Sequence, residues 1–384
     1  MASSGPWATL PPDLLRFISS DGFGLPLESY SCVRGVCTAW RSALPPPTPL
    51  LLTVSGFDAP RHRQVQPGQL VSASFLTAGR SFHLSEVPTG GELVGSSNGW
   101  IAVDPRGPRF HLFPLRNGDD QPVLKVVLAP NPAPDDYTAV AICGPRRLAY
   151  AKARDMKWTV MDVSMAEQRD QLVDLAYDGA AAGGGGKVYS VTRYGDVHVF
   201  HVPGCRRRRP RVSPLHSEAQ RAGLFAPPYD AACKLTGAKN IFLSGGTLYQ
   251  VWRNTTVAVS SMTPEGGRFS MAKDEVFVLK YDPKRRPCWD AVSDLGGCSV
   301  FVGKNYPVVL RPEDASGVRP NCVYWIDEQS RFEPMVFDMA TRTSTLHPLA
   351  AGAPCPARGP VCWFFLNDKI ASADGDGRKT ENDA

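Results

Sequence analysis

From Leu50 onward the chain is broken into short apolar runs. Examples are LLLTVSGF, SASFLTA, GWIAVDP, VLKVVL, TAVAIC, RLAYAK, WTVMDV, KVYSVT, DVHVFHV, EVFVLKYD, SVFVG, CVYWID, MVFDM and VCWFFL, with Gly, Pro, Asn and Asp between them. Runs this short, rich in β-branched and aromatic residues, read as strands rather than helices. Helical periodicity is nearly absent from this region. The best candidate, MAEQRDQLVDLAY, contains Leu172-Val173-Asp174-Leu175, which reads equally as strand. Residues 50–370 are therefore expected to form an all-β domain. The 35 Gly and 35 Pro residues fit its many turns without reaching a low-complexity composition.

A weak internal repeat runs through this region. Each unit is a strand, a polar tip and a second strand, with starts near Gly99, Arg147, Gly186, Gly246, Cys298 and Cys322. Repeats at blade spacing predict a β-propeller. Uneven spacing leaves the number of blades open and keeps a β-sandwich pair as the alternative.

The first 44 residues follow another period. Residues 1–9 form a polar start expected to be flexible. Leu10-Pro11-Pro12-Asp13 then opens a helix, since proline is tolerated in a first turn and Asp13 complements its positive end. Leu10, Leu14 and Ile18 are spaced by four, and Asp21-Gly22 stops the helix. Pro26 starts a second, short helix carrying Leu27 and Tyr30. In SCVRGVCTAWRSAL, Val33, Val36, Cys37, Trp40 and Leu44 share one face of a third expected helix. Pro45-Pro46-Pro47-Thr48-Pro49 ends it as a stiff linker over residues 45–49. A bundle this small leaves apolar surface for a partner, or for the domain that follows, to cover.

Residues 10–44 resemble an F-box. Leu10, Pro11, Leu14, Leu15, Ile18, Leu25, Pro26, Leu27, Arg34, Val36, Cys37, Trp40 and Arg41 keep that family's order and spacing; the extra Gly-Phe-Gly before Pro26 and Tyr30 depart from it. The later residues Trp289, Val292, Leu295, Gly296, Phe301, Val302 and Gly303, with Arg319-Pro320-Asn321-Cys322-Val323-Tyr324, are similar to a plant F-box family with a C-terminal kelch-like β-propeller. VCWFFL around Trp363 resembles its closing strand.

The resemblance implies a substrate receptor of a Skp–cullin–F-box ubiquitin ligase. The F-box would bind a Skp-type adaptor and, through it, cullin and RING proteins. The β domain would hold an unidentified target. Leu10, Pro11, Leu14, Leu15, Ile18, Leu27, Val36, Cys37 and Trp40 are the expected adaptor-binding residues, or the residues that shape that surface. Such a protein is not an enzyme and needs no cofactor; it brings target and conjugating enzyme together. A propeller interaction module outside a ligase and a propeller hydrolase are the alternatives.

Charge is local. The net charge of +5 disappears without Arg206, Arg207, Arg208, Arg209 and Arg211. This loop is read as a solvated insertion, an acidic-partner patch or a nuclear-import signal. Nucleic acid is not the expected ligand, because interleaved aromatics are missing.

The ten cysteines include no C-x-x-C pair, and no His falls at zinc-finger spacing. No membrane span or secretory signal is legible. Free thiols in a reducing compartment, cytoplasmic or nuclear, are expected, as is a disordered tail over residues 371–384.

Two letter patterns carry no chemistry. Gly95-Ser96-Ser97-Asn98-Gly99 matches G-x-S-x-G, but Trp100-Ile101-Ala102-Val103 after it reads as strand where a nucleophile elbow needs a helix. Gly183-Gly184-Gly185-Gly186-Lys187 lacks the Ser or Thr of a phosphate loop, and a strand again follows. His198 and His201 are expected on opposite faces of a strand, so no metal site is expected.

Overall fold

The computed structural model describes residues 10–19, 27–44, 49–55, 71–75, 81–84, 92–97, 100–104, 123–130, 135–179, 186–204, 209–217, 223–262, 266–315, 317–347 and 358–365. Three helices come first: α1 (Pro12–Ile18), α2 (Leu27–Gly35) and α3 (Thr38–Ala43). Pro12 takes the first turn of α1, with Asp13 beside it. The expected single helix across SCVRGVCTAWRSAL is corrected. Its first half ends α2, and Cys37 is extended, at φ −160° and ψ 171°, before α3 begins. Gly35, a poor helix former, stands at that break.

The rest is mostly β. The first blade contains β1 (Leu50–Ser55), β2 (Val71–Phe75) and β3 (Ser81–Leu84). The hairpin β4 (Glu92–Ser97) and β5 (Trp100–Asp104) follows. The next blade is β6 (Lys125–Leu128), β7 (Thr138–Ile142), β8 (Arg147–Lys152) and β9 (Thr159–Asp162). After it come β10 (Leu172–Asp178), β11 (Lys187–Thr192), β12 (Val197–His201) and β13 (Arg211–Pro214). Leu172–Leu175 is thus strand.

A short helix, α4 (Tyr229–Leu235), leads into β14 (Ala238–Ser244) and β15 (Thr247–Arg253). No helix was expected there, since one face of seven residues is too short to register as a period. A hairpin of β16 (Val259–Met262) and β17 (Arg268–Met271) precedes β18 (Val276–Tyr281) and β19 (Trp289–Val292). The last full sheet holds β20 (Ser299–Gly303), β21 (Val308–Leu310), β22 (Cys322–Ile326), β23 (Met335–Asp338) and β24 (Thr343–Leu346). The final strand is β25 (Arg358–Phe364).

Four sheets are four-stranded blades, ordered β25-β1-β2-β3, β6-β7-β8-β9, β10-β11-β12-β13 and β14-β15-β18-β19. The five-stranded sheet β21-β20-β22-β23-β24 and the β4–β5 ribbon stand in the same ring. β25 packs on β4, β4 on β6, β6 on β10, and β10 on β14; β20 and β22 return to β25. This is a β-propeller, not the alternative sandwich pair. The repeat unit RFHLFPL lies outside the described residues.

Closure is between the first and last described strands. β25 pairs antiparallel with β1, Leu51 opposite Trp363 and Leu52 opposite Cys362. A first-to-last strand pair closes the ring without an exposed inner edge. Burial falls from β6 to β9 and from β22 to β24. Inner strands such as KVVL of β6 and CVYWI of β22 are buried throughout, whereas TVMD of β9 and TSTL of β24 are largely exposed. Trp252, Trp289, Trp325 and Trp363 are among the largest fully buried side chains. Phe301 stacks on Tyr324 at 4.4 Å and meets the edge of Trp363 at 5.1 Å, joining the last sheet to the closing strand.

The helices are not held apart by the proline linker. Leu15, Tyr30, Ala43 and Leu44 share one core with Leu50, Leu52, Leu93, Cys362 and Phe364. The Arg16 guanidinium donates to the Ala43 carbonyl at 3.2 Å, tying α1 to α3.

Candidate functional site

Packing against the first blade divides the N-terminal side chains into two sets. Leu15 is 2% exposed, and Leu10, Val33 and Trp40 pack partly buried against the same core. Leu14, Ile18 and Val36 are 49%, 41% and 58% exposed. Pro11 is exposed and Cys37 half-buried; the side chain of Leu27 lies outside the described residues. The nine residues singled out from sequence therefore do not form one surface. Leu15 is a core anchor, since a four-residue spacing marks a helical stripe without saying which neighbour the stripe meets. Phe17, 60% exposed, belongs with Leu14 and Ile18 and was missed; its i+3 step from Leu14 was the available signal.

A second feature lies where inner strands converge. A cavity of about 220 Å³ is lined by residues including Lys125, Asn240, Lys304, Trp325 and Asp327. These come from β6, β14, the ends of β20 and β22, and the turns that follow. Lys125 donates to Asp174 of β10 and, at 2.8 Å, to the Gly303 carbonyl. Asp174 also accepts from the Asn240 amide and the Ile241 N–H at 3.0 Å each, and from the Leu175 N–H at 2.8 Å. The Lys125–Asp174 pair thus ties strands of four sheets together. Nearby, Arg253 pairs with Asp327 and with Asp274 at 3.2 Å, and its guanidinium lies 5.0 Å from the Trp325 ring centre.

Burial pushes the Cys143 and Cys322 thiols up to about 11 and Cys362 to about 12, which suppresses the nucleophilic thiolate. Cys288 Sγ lies 3.7 Å from His216 Nε2. Burial raises the thiol and lowers the imidazole, opposing a thiolate–imidazolium pair. Ser97 sits in β4, and its hydroxyl accepts from the Leu128 N–H at 3.3 Å. Gly95, Ser96 and Ser97 thus lie in a strand paired with β5, and Asn98 and Gly99 lie outside the described residues. His198 is buried and His201 exposed, on opposite faces of β12. Among the described residues no three His, Cys, Asp or Glu side chains are placed to share a metal.

Of the arginine cluster, Arg209 and Arg211 are exposed, Arg211 opening β13; Arg206, Arg207 and Arg208 lie outside the described residues. The cysteines Cys32, Cys37, Cys143, Cys233, Cys288, Cys298, Cys322 and Cys362 are free thiols. No described helix is long and apolar enough to cross a membrane.

The family model described as the KIB1-4 beta-propeller matches residues 73–341. No curated protein matches the chain. Among solved structures, a putative 6-phosphogluconolactonase from Bacteroides uniformis is 9% identical, with a TM-score of 0.36 over 82% of this chain and 98% of that one. The catalytic domain of a Coprinopsis cinerea GH62 α-L-arabinofuranosidase is 12% identical, with a TM-score of 0.27 over 65% and 76%. YCF48 bound to D1 peptide is 13% identical, with a TM-score of 0.20 over 59% and 86%. Likeness at this level transfers neither an active site nor a ligand.

Proposed function

The chain belongs to the KIB1-4 beta-propeller family, and from that premise we propose that it is a non-catalytic substrate receptor of a Skp–cullin–F-box ubiquitin ligase. The reading is supported by the exposed apolar side chains of the N-terminal helices. Leu14, Phe17, Ile18 and Val36 are exposed while Leu15, Tyr30 and Leu44 fix the helices to the first blade. Solvent-facing aliphatic and aromatic groups on an anchored helix are the material of a docking interface. A Skp-type adaptor covers this face, and cullin and RING proteins follow through it. The propeller presents a bound target, in cytoplasm or nucleus, and the reaction is accelerated by proximity. The expected catalysts are the partner enzymes.

Adaptor capture tests this. The full chain is expected to co-purify with a Skp-type adaptor, and the double variant Leu14→Ala/Ile18→Ala to lose capture by more than about tenfold, since truncating central apolar anchors costs ~2 kcal/mol or more. Unchanged capture, with an unchanged melting temperature, excludes this face as the adaptor surface. A chain that never captures the adaptor is a propeller interaction module outside a ligase, with its helices serving as a cap on the first blade.

A further inference from the structure

The register of the β10–β13 blade assembles a row of basic side chains from three separate strands. Lys187 of β11 is opposite His201 of β12, and His201 is opposite Arg211 of β13. Cross-strand partners project from the same face, and all three are exposed. Adjacent strands lie about 4.8 Å apart, so the row is about 10 Å long. Arg209, also exposed, lies two residues before Arg211.

The row is poorly balanced from within. Among the described residues, the carboxylate of its cross-strand set is Asp178 of β10, opposite Lys187. No ion pair among the described residues joins Lys187, Arg209 or Arg211 to an acidic group. The adjacent cross-strand set on this face is Tyr189, Val199 and Ser213, which adds no compensating charge. Across the boundary with the next blade, Tyr281 feels Tyr189 together with Arg286 and Asp282. Like charges placed opposite one another destabilise a sheet. His201 registers this: burial, then the charges of Lys187 and Arg211, hold its imidazole below the usual value.

We propose that Lys187, His201, Arg211 and Arg209 form a binding surface for an acidic peptide segment laid along this row, where the strand ends leave it exposed at the rim of the blade. Two other modes fit less well. Strand addition to the β13 edge is blocked by Pro210 before the strand and Pro214 at its end, which remove N–H donors. Nucleic acid would need a longer cationic track or exposed rings for base stacking, and the row contains neither. The surface lies on a different element from the adaptor-docking helices, so the two readings stand or fall separately.

The test uses the full chain and a fluorescein-labelled decaglutamate peptide, followed by anisotropy. Binding is expected to weaken as NaCl rises. The double variant Lys187→Gln/Arg211→Gln should bind about tenfold more weakly, as expected for two exposed charge contacts. The charge-conserving Lys187→Arg/Arg211→Lys variant should bind like the parent. In the parent chain, the His201 ring titration followed by NMR should move to higher pH when peptide saturates the surface, because a nearby anion favours imidazolium. An unchanged affinity in a folded glutamine variant overturns the proposal. So does a His201 titration that does not move, and this readout decides the matter if the glutamine variant fails to fold. Tighter binding of oligothymidylate, lost in the same variant, would replace the peptide with nucleic acid. Adaptor capture is expected to be unaffected by the glutamine changes.

Discussion

Lys125 and Asp174 show how much one buried pair can organise. Each is almost wholly enclosed, and the carboxylate has four donors drawn from several strands. Removing one partner strands a charge where water cannot replace it. Lys125→Met is therefore expected to destabilise the fold by about 3–5 kcal/mol, read as a lower urea midpoint. Lys239 behaves differently. It is 3% exposed, and its ammonium donates to the Cys233 and Thr236 carbonyls at 2.6 and 3.2 Å and to the Thr236 hydroxyl at 2.6 Å. Desolvation nevertheless dominates and pulls its pKa down to about 7. From there up to the unfolded value of 10.5, the unfolded chain binds more protons than the folded one, so this group makes stability rise with pH. The urea midpoint of the parent relative to Lys239→Met should therefore increase from pH 7 to about 8.5. A flat difference would mean that the ammonium is better solvated than its surroundings imply. The Lys125–Asp174 pair is not legible from sequence, because the two residues are far apart along the chain and nothing local marks them as partners.

At the scale of elements, the N-terminal helices have an inner and an outer side. Leu15→Ala opens a cavity in the core shared with Leu50, Leu52 and Phe364. A cost of about 2–5 kcal/mol is expected, read as faster amide exchange across α1 to α3. Leu14→Ala/Ile18→Ala removes exposed groups and should change stability by only about 0.5 kcal/mol, read as a near-constant melting temperature. The contrast separates packing from docking. Residue order had shown three helical pieces and their apolar stripe. It had not shown the break before Cys37, because the apolar spacing continues through it while the backbone does not. The β-hairpins were more legible. RLAYAK with WTVMDV, and KVYSVT with DVHVFHV, become adjacent strands in β8–β9 and β11–β12, since turn residues and short apolar runs are local signals. α4 is not legible in the sequence, because seven residues give too short a helical period.

For the whole molecule, the closing strand is the decisive contact. β25 lies on β1 and packs on β4, β20 and β22. Trp363 and Phe364 are buried there. A chain ending before Arg358 should lose the single cooperative unfolding transition and expose the inner edge of β1. Calorimetry and size-exclusion chromatography would read this as a broadened, earlier transition and a tendency to associate. A truncated chain that melts like the parent would show that the ring holds without its closure.

The sequence by itself determined that the long domain is β, that it is built from repeated hairpins, and that a helical segment precedes it. These follow from side-chain period and turn chemistry, which act over a few residues. Only the tertiary structure decided that the sheets form a closed ring, that Leu15 faces the first blade while Leu14 faces solvent, and that Lys187, His201 and Arg211 stand in one row. Those outcomes depend on register and on contacts between distant segments. A strand slipped by one residue would present the opposite face with the same composition, so no local pattern could have fixed them.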